Sequence, residues 1–260
     1  MKRIRVIAAL LAVLLLLTAW TPAPREAGSG KASVEAPAAT QAAAVEPAGA
    51  ALPEEAWRMI LVNPWNTLPE DFTVELETLS NGMKVDKRIV KDLKDMLADC
   101  RKAGLRPIIC SAYRPQATQE RLYKNKIARL RAAGYTQETA EKEAGRWVAV
   151  PGTSEHQTGL ALDIVAASYQ VLDKKQESTA EQKWLMEHCW EYGFILRYPS
   201  DKSEITGIGY EPWHYRYVGR ETAAAVRDSG LCFEEYLDSL KTAKAPQMKT
   251  EKPQETAGAS

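Results

Sequence analysis

The sequence predicts an α+β fold: a single domain with a small, mainly antiparallel sheet flanked by helices. Two observations lead there. Apolar runs of strand length recur among stretches in which apolar residues repeat at helical spacing. The two kinds of element are mixed without the regular βαβ alternation that builds a parallel sheet. No internal repeat is visible, and the stretch from about 52 to 241 is long enough to bury one core.

The elements follow in chain order. Lys2, Arg3 and Arg5 precede an almost wholly apolar run, Val6 to Trp20, in the pattern of a secretory signal. As a helix that run spans about 22 Å, short of a bilayer core of about 30 Å. A clean small-residue cleavage site is missing, so residues 1–23 read as a signal peptide or an uncleaved N-terminal anchor. No Cys follows to carry a lipid. Residues 24–51 are rich in Ala and Pro, lack aromatics and read as a disordered linker; residues 242–260 read as a disordered tail. Within the domain, Leu61–Asn66 is expected to be extended and to end in a turn, and Phe72–Leu76 alternates as a strand does. A helix is expected over about Asp86–Ala103, with Asp86 as cap and Gly104 as stop. Leu105–Cys110 reads as a buried strand. A helix carrying Leu122, Tyr123, Ile127 and Leu130 follows, then a short one from a Thr136 cap. Leu160–Val165 is a strand, Glu181–Tyr192 a helix, Phe194–Tyr198 a strand and Ser200–Tyr210 a loop. Trp213–Val218 is a strand, and Arg220–Ser229 and Phe233–Leu240 are amphipathic helices.

Composition narrows the function classes. The 260 residues carry 34 basic and 34 acidic side chains, so nothing favours a nucleic-acid partner. Four cysteines in an exported chain allow disulfides. Cys100–Cys110 and Cys189–Cys232 are the favoured pairs, tying helix to strand and helix to helix; buried free thiols are the alternative. No Cys-x-x-Cys spacing suggests a thiolate metal site.

Histidines and carboxylates carry the chemistry. Only His156, His188 and His214 are present. His156 and Asp163 lie seven positions apart in Ser154–Asp163, and Glu211 precedes His214 by three. Zinc hydrolases use three His or carboxylate ligands, an open coordination position and a nearby carboxylate base. His156, Asp163 and His214 can be the ligands and Glu211 the base. An Asp inside the apolar run Leu160–Val165 is costly unless paired or bound to a metal, which places the zinc site at the sheet. Gly159 permits a sharp turn from the loop bearing His156 into that strand. Residues three apart on a regular strand face opposite sides, so Pro212 must mark a bend if Glu211 and His214 address one ion. His188 falls on the apolar stripe of its helix and reads as a core or flanking residue. Arg114, just off the Leu105–Cys110 strand, is either a structural or solvated Arg or a clamp for a carboxylate at a cleft rim. Gln119 lies near the same end, on the first turn of the next helix.

At these residues the chain resembles the VanY-type D-alanyl-D-alanine carboxypeptidases, zinc peptidases that share a fold with D-Ala-D-Ala dipeptidases and the hedgehog signalling domain. The resemblance runs from about Trp57 to Leu240. It rests on Ser-x-Tyr-Arg at Ser111–Arg114, Ser-x-His-x-x-Gly-x-Ala-x-Asp at Ser154–Asp163, Arg-Tyr-Pro at Arg197–Pro199 and Glu-x-Trp-His at Glu211–His214. It implies one zinc ion on His156, Asp163 and His214, with Glu211 as general base. It also implies a terminal D-Ala held by Arg114 and Gln119 in a pocket lined by Ser154 and Tyr198, with Arg114 helping to stabilise the oxyanion. The implied reaction removes the C-terminal D-alanine of a peptidoglycan stem peptide. The N-terminal segment is expected to place the chain outside the cytoplasm, secreted or anchored to the outer face of the cytoplasmic membrane, with membrane contact only through that segment, and a monomer is expected. A peptidoglycan endopeptidase or a non-catalytic zinc-stabilised wall-binding module are the other readings. The unligated Glu211 speaks against the module.

Overall fold

The computed structural model describes residues 55–244. The signal or anchor, the linker and the tail beyond Lys244 lie outside the described residues. Strand β1 (Leu76–Thr78) and strand β2 (Lys84–Asp86) form a hairpin. The expected strand at Phe72–Leu76 therefore starts later. The reason is the Asn81–Gly82 turn, where Gly82 takes φ 82° and Leu79 N donates to Met83 O at 2.7 Å. The helix expected from Asp86 begins with a 3-10 turn at Lys87–Ile89, capped by Asp86 through Arg88 N at 2.9 Å. It continues as α1 (Val90–Lys102).

Strand β3 (Pro107–Ser111), α2 (Gln116–Ala132) and α3 (Gln137–Gly145) follow, and Thr136 caps α3 as expected. Next come β4 (Ala161–Ala166) and α4 (Ala180–His188), which tightens into a 3-10 turn at Cys189–Tyr192. Strand β5 (Phe194–Leu196) leads to the expected loop, which contains one helical turn, α5 (Ser203–Thr206). Strand β6 (His214–Tyr217), α6 (Arg220–Ser229) and α7 (Phe233–Lys244) complete the domain. Helix α7 thus runs three residues past the expected domain end at 241.

The main sheet has the order β3-β4-β6-β5 with every neighbour antiparallel, as the α+β reading requires. Side chains alternate between its faces. One face turns Leu162, Ile164, Tyr215, Tyr217 and Phe194 into a core shared with Ile89, Leu93 and Met96, and with Leu185 of α4. Each such Leu or Ile contributes about 1.5–3 kcal/mol by leaving water. The other face carries Asp163, His214 and Arg216.

The chain enters β4 through Gly159, which has φ +74°. A Cβ there would lie 2.8 Å from Asp86 N, the same amide that donates to Gly159 O at 2.9 Å. Strain and collision coincide, so Gly159→Ala is expected to destabilise the domain by at least about 2 kcal/mol. Chemical denaturation checks this; a loss below about 0.5 kcal/mol would show that the turn tolerates a side chain.

The cysteine expectation is corrected. All four are free. Cys110 Sγ, on β3, points across the sheet to Asp163 O at 3.4 Å, whereas Cys100 lies buried on the inner face of α1. Burial pushes all four thiols up, Cys100 and Cys232 to about 11 and Cys110 and Cys189 to about 12.

Candidate active site

Strand register builds the centre. Asp163 on β4 sits directly opposite His214 on β6. A bulge between Ile109 and Ser111 places Ser111 of β3 opposite Asp163 on the other side. Ser111, Asp163 and His214 thus form a row across three strands. His156 reaches the row from the 3-10 turn Glu155–Thr158 just before Gly159.

The His156, Asp163 and His214 donor atoms lie within 4.8 Å of one another, and all three residues are buried. His156 Nε2 is 3.3 Å from Asp163 Oδ2, and His214 Nδ1 is 3.2 Å from Asp163 Oδ1. Donors held about 2.0–2.2 Å from a tetrahedral zinc stand roughly 3.3–3.6 Å apart, so the set fits the ion. The opposite ring nitrogens face outward from the cluster, and only that of His156 is hydrogen-bonded. His156 Nδ1 is 2.8 Å from Ala112 O, which takes its hydrogen and leaves the Nε2 lone pair facing the cluster. His214 Nε2 faces Glu155 Oε2 at 3.6 Å, leaving Nδ1 to face the cluster. Asp163 Oδ1 is buried without a hydrogen-bond donor, as suits an atom reserved for a cation.

Glu211 is placed by the bend expected at Pro212. His214 N donates to Glu211 O at 3.1 Å across a four-residue turn. That turn swings the Glu211 carboxylate to 3.5 Å from His214 Nδ1. Burial raises the Glu211 carboxyl above its ordinary range, against the pull of His214, and Asp163 adds to the rise. The two imidazoles diverge. Burial and then Arg114 lower His156 to about 4. His214 rises to about 9 despite burial, because Asp163 and Glu155 favour its cation.

Arg114 joins the cluster directly. Its Nη2 is 2.7 Å from Asp163 Oδ2 and 2.8 Å from His156 Nε2. Its Nε donates to Ser111 Oγ at 2.9 Å and its Nη1 to Gln119 Oε1 at 3.2 Å. Gln119 is fully buried and also donates to Ala149 O at 2.7 Å. It therefore acts on the cleft through Arg114 and not by its own surface. Ser154 and Tyr198 line the cleft, with the Tyr198 ring 4.7 Å from the His214 ring. His188 stays apart, 2.8 Å from Glu191 and against Trp184.

Glu155 is the residue that sequence reasoning missed. It is buried between two fully buried arginines, Arg197 Nε at 2.8 Å and Arg216 Nη1 at 2.7 Å. Arg197 also grips Glu234 of α7 through two bonds of 2.8 and 2.6 Å. Against the penalty of burial, Arg197 and Arg216 hold the Glu155 carboxyl well below its usual range. A chain of charge thus runs from α7 to the ring nitrogen of His214.

The VanY family, described as D-alanyl-D-alanine carboxypeptidase, matches residues 82–220, just over half of the chain. The chain belongs to this family. A D-alanyl-D-alanine carboxypeptidase of Enterococcus faecalis is 45% identical over 216 residues, covering 82% of this chain and 77% of that protein. Two solved VanY structures are each 48% identical and cover 70% of this chain. One is VanYB in complex with D-alanine-D-alanine (TM-score 0.65, 98% of that chain covered). The other is a mutant VanY D,D-pentapeptidase from a VanB-type resistance cassette in complex with Zn(II) (TM-score 0.64, 99% covered). Membership of the VanY family makes the chain a metallopeptidase, with the α+β fold of its VanY relatives.

Proposed function

We propose that this protein is a zinc-dependent carboxypeptidase that removes the terminal D-alanine from peptidoglycan stem peptides. One observation carries the reading: His156 Nε2, the Asp163 carboxylate and His214 Nδ1 converge beside an unligated, buried Glu211. Three such donors make one zinc site with a coordination position to spare. A zinc ion held there supplies Lewis-acid polarisation of the scissile carbonyl and acidifies water.

The chain's own residues do the rest. Glu211 takes a proton from the attacking water and delivers it to the leaving amine. Its buried setting favours proton exchange near neutral pH. Ser111 and Gln119 hold the Arg114 guanidinium at the mouth of the cluster. With Nε given to Ser111 and Nη2 to Asp163 and His156, the second Nη1 hydrogen is left for a peptide's terminal carboxylate, and this positive charge favours cleavage at a C-terminus over an internal bond. Arg114, with Tyr198, would also stabilise charge on the carbonyl oxygen. Ser154 and Tyr198 shape the pocket for the terminal residue. Residues 1–23 support action outside the cytoplasmic membrane, by a secreted or anchored monomer.

Mass spectrometry of synthetic stem peptides incubated with the purified protein tests this. Loss of one terminal alanine, abolished by a chelator and restored by zinc, is the expected result. An internal cut would make the protein an endopeptidase. No cut from a zinc-loaded protein would leave a wall-binding module.

A further inference from the structure

We propose that Lys126 and Arg129 form a second anion subsite, which reads a free carboxylate on the substrate about three residues before its terminal D-alanine. The proposal rests on the carboxypeptidase reading and deepens it.

The cleft encloses about 450 Å³, and its charges are unevenly spread. Its carboxylates, Glu155, Asp163 and Glu211, all belong to the inner end and are buried. The cations Lys126, half-buried, and Arg129, exposed, line the cleft from α2. Among the described residues neither has a hydrogen-bonded or ion-paired partner. Of the other cations on the helix, Lys124 meets Glu120 at 3.9 Å and Arg131 donates to Tyr135 O at 2.6 Å, while Arg121, likewise without such a partner, lies outside the cleft.

Helical spacing links the two ends. Gln119, Leu122, Lys126 and Arg129 recur at intervals of three and four and so share one stripe of α2. Gln119 anchors Arg114 at the inner end of that stripe. At 1.5 Å per residue, Lys126 lies about 10 Å and Arg129 about 15 Å further along. An extended peptide covers roughly 3.3–3.6 Å per residue. A peptide whose terminal carboxylate is near Arg114 therefore brings the residue about three places back alongside Lys126. The cleft lining also includes the apolar Trp147, Leu172 and Ile208, and no carboxylate besides Glu155, Asp163 and Glu211. A stem peptide in which glutamate is joined through its side chain carries its free α-carboxylate at that place.

Two peptides that differ by one charge provide the test: acetyl-γ-D-Glu-L-Lys(Nε-acetyl)-D-Ala-D-Ala with a free α-carboxylate, and its α-carboxamide. The zinc-loaded full chain should prefer the carboxylate by about three- to tenfold in kcat/KM, mainly through KM, with the preference falling as salt rises. In the Lys126→Met, Arg129→Met double variant the ratio should fall to about one. Lys124→Met, which removes a charge from α2 outside the cleft, should keep the wild-type ratio. Equal cleavage of both peptides by the wild type, or an undiminished preference in the double variant, would overturn the subsite alone. Cleavage of neither peptide would overturn the carboxypeptidase reading and the subsite with it.

Discussion

Glu211→Gln is expected to bind zinc as the wild type does and to turn over at least about 10²–10⁴ times more slowly. Glutamine keeps the size of the side chain and the turn that aims it, in which His214 N bonds to Glu211 O. It cannot accept and release the proton. The loss should fall on kcat and not on KM, because a general base as proposed for Glu211 would act in the transition state and not in holding the terminal carboxylate. Asp163→Asn separates the two roles. Asp163 supplies an oxygen to the cluster and lies 3.2–3.3 Å from both His nitrogens, so its loss should lower zinc affinity itself. Metal stoichiometry by native mass spectrometry, alongside steady-state kinetics, distinguishes the outcomes. A Glu211→Gln enzyme within tenfold of the wild-type kcat would sink the base assignment; one that no longer holds zinc would make Glu211 a ligand.

The candidate metal cluster was legible because its residues contradict their surroundings. Asp163 inside an apolar strand demands a partner, and a Glu three residues before a His on a strand demands a bend; the structure has both. The hairpin of β1 and β2 was missed although its signal is local. Asn81–Gly82 is a strong turn signal, but the alternating residues of Phe72–Leu76 drew the strand too early. Glu155 could not be found locally. Beside Ser154 and His156 it looks like any loop carboxylate, and its partners lie 42 and 61 residues away. Charge accounting would have found the need for it. Arg197 follows the apolar Phe194–Leu196, and Arg216 stands among aromatics in Trp213–Val218. Two arginines that strand periodicity buries need acids from elsewhere. The disulfide pairing failed for a related reason. The inward direction of each thiol depends on strand register and helix phase, which the order of elements along the chain does not show.

Removing the Glu155 charge should therefore cost both stability and metal. Arg197, Arg216, Glu155 and Glu234 balance to zero net charge in a region nearly closed to water. Glu155→Ala leaves Arg216 with only carbonyl partners, those of Arg58, Ile60 and Tyr217, and no counter-charge. Breaking one member of a buried ion cluster typically costs about 3–5 kcal/mol. At about 2–4 °C per kcal/mol for a domain of this size, the metal-free protein should melt about 10 °C lower. Glu155→Gln is the more informative variant. It retains an oxygen for the arginines and should fold, but it presents no negative charge to His214 Nε2. A carboxylate facing that nitrogen favours a hydrogen there and leaves Nδ1 for zinc, and loss of such an outer partner typically weakens metal binding by 10–100-fold. Chelator competition on the folded Gln variant reads this separately from stability. Wild-type zinc affinity in that variant would confine Glu155 to holding the fold. A weakened affinity would extend the metal centre outward, through Glu155 and Arg197, to Glu234 on α7.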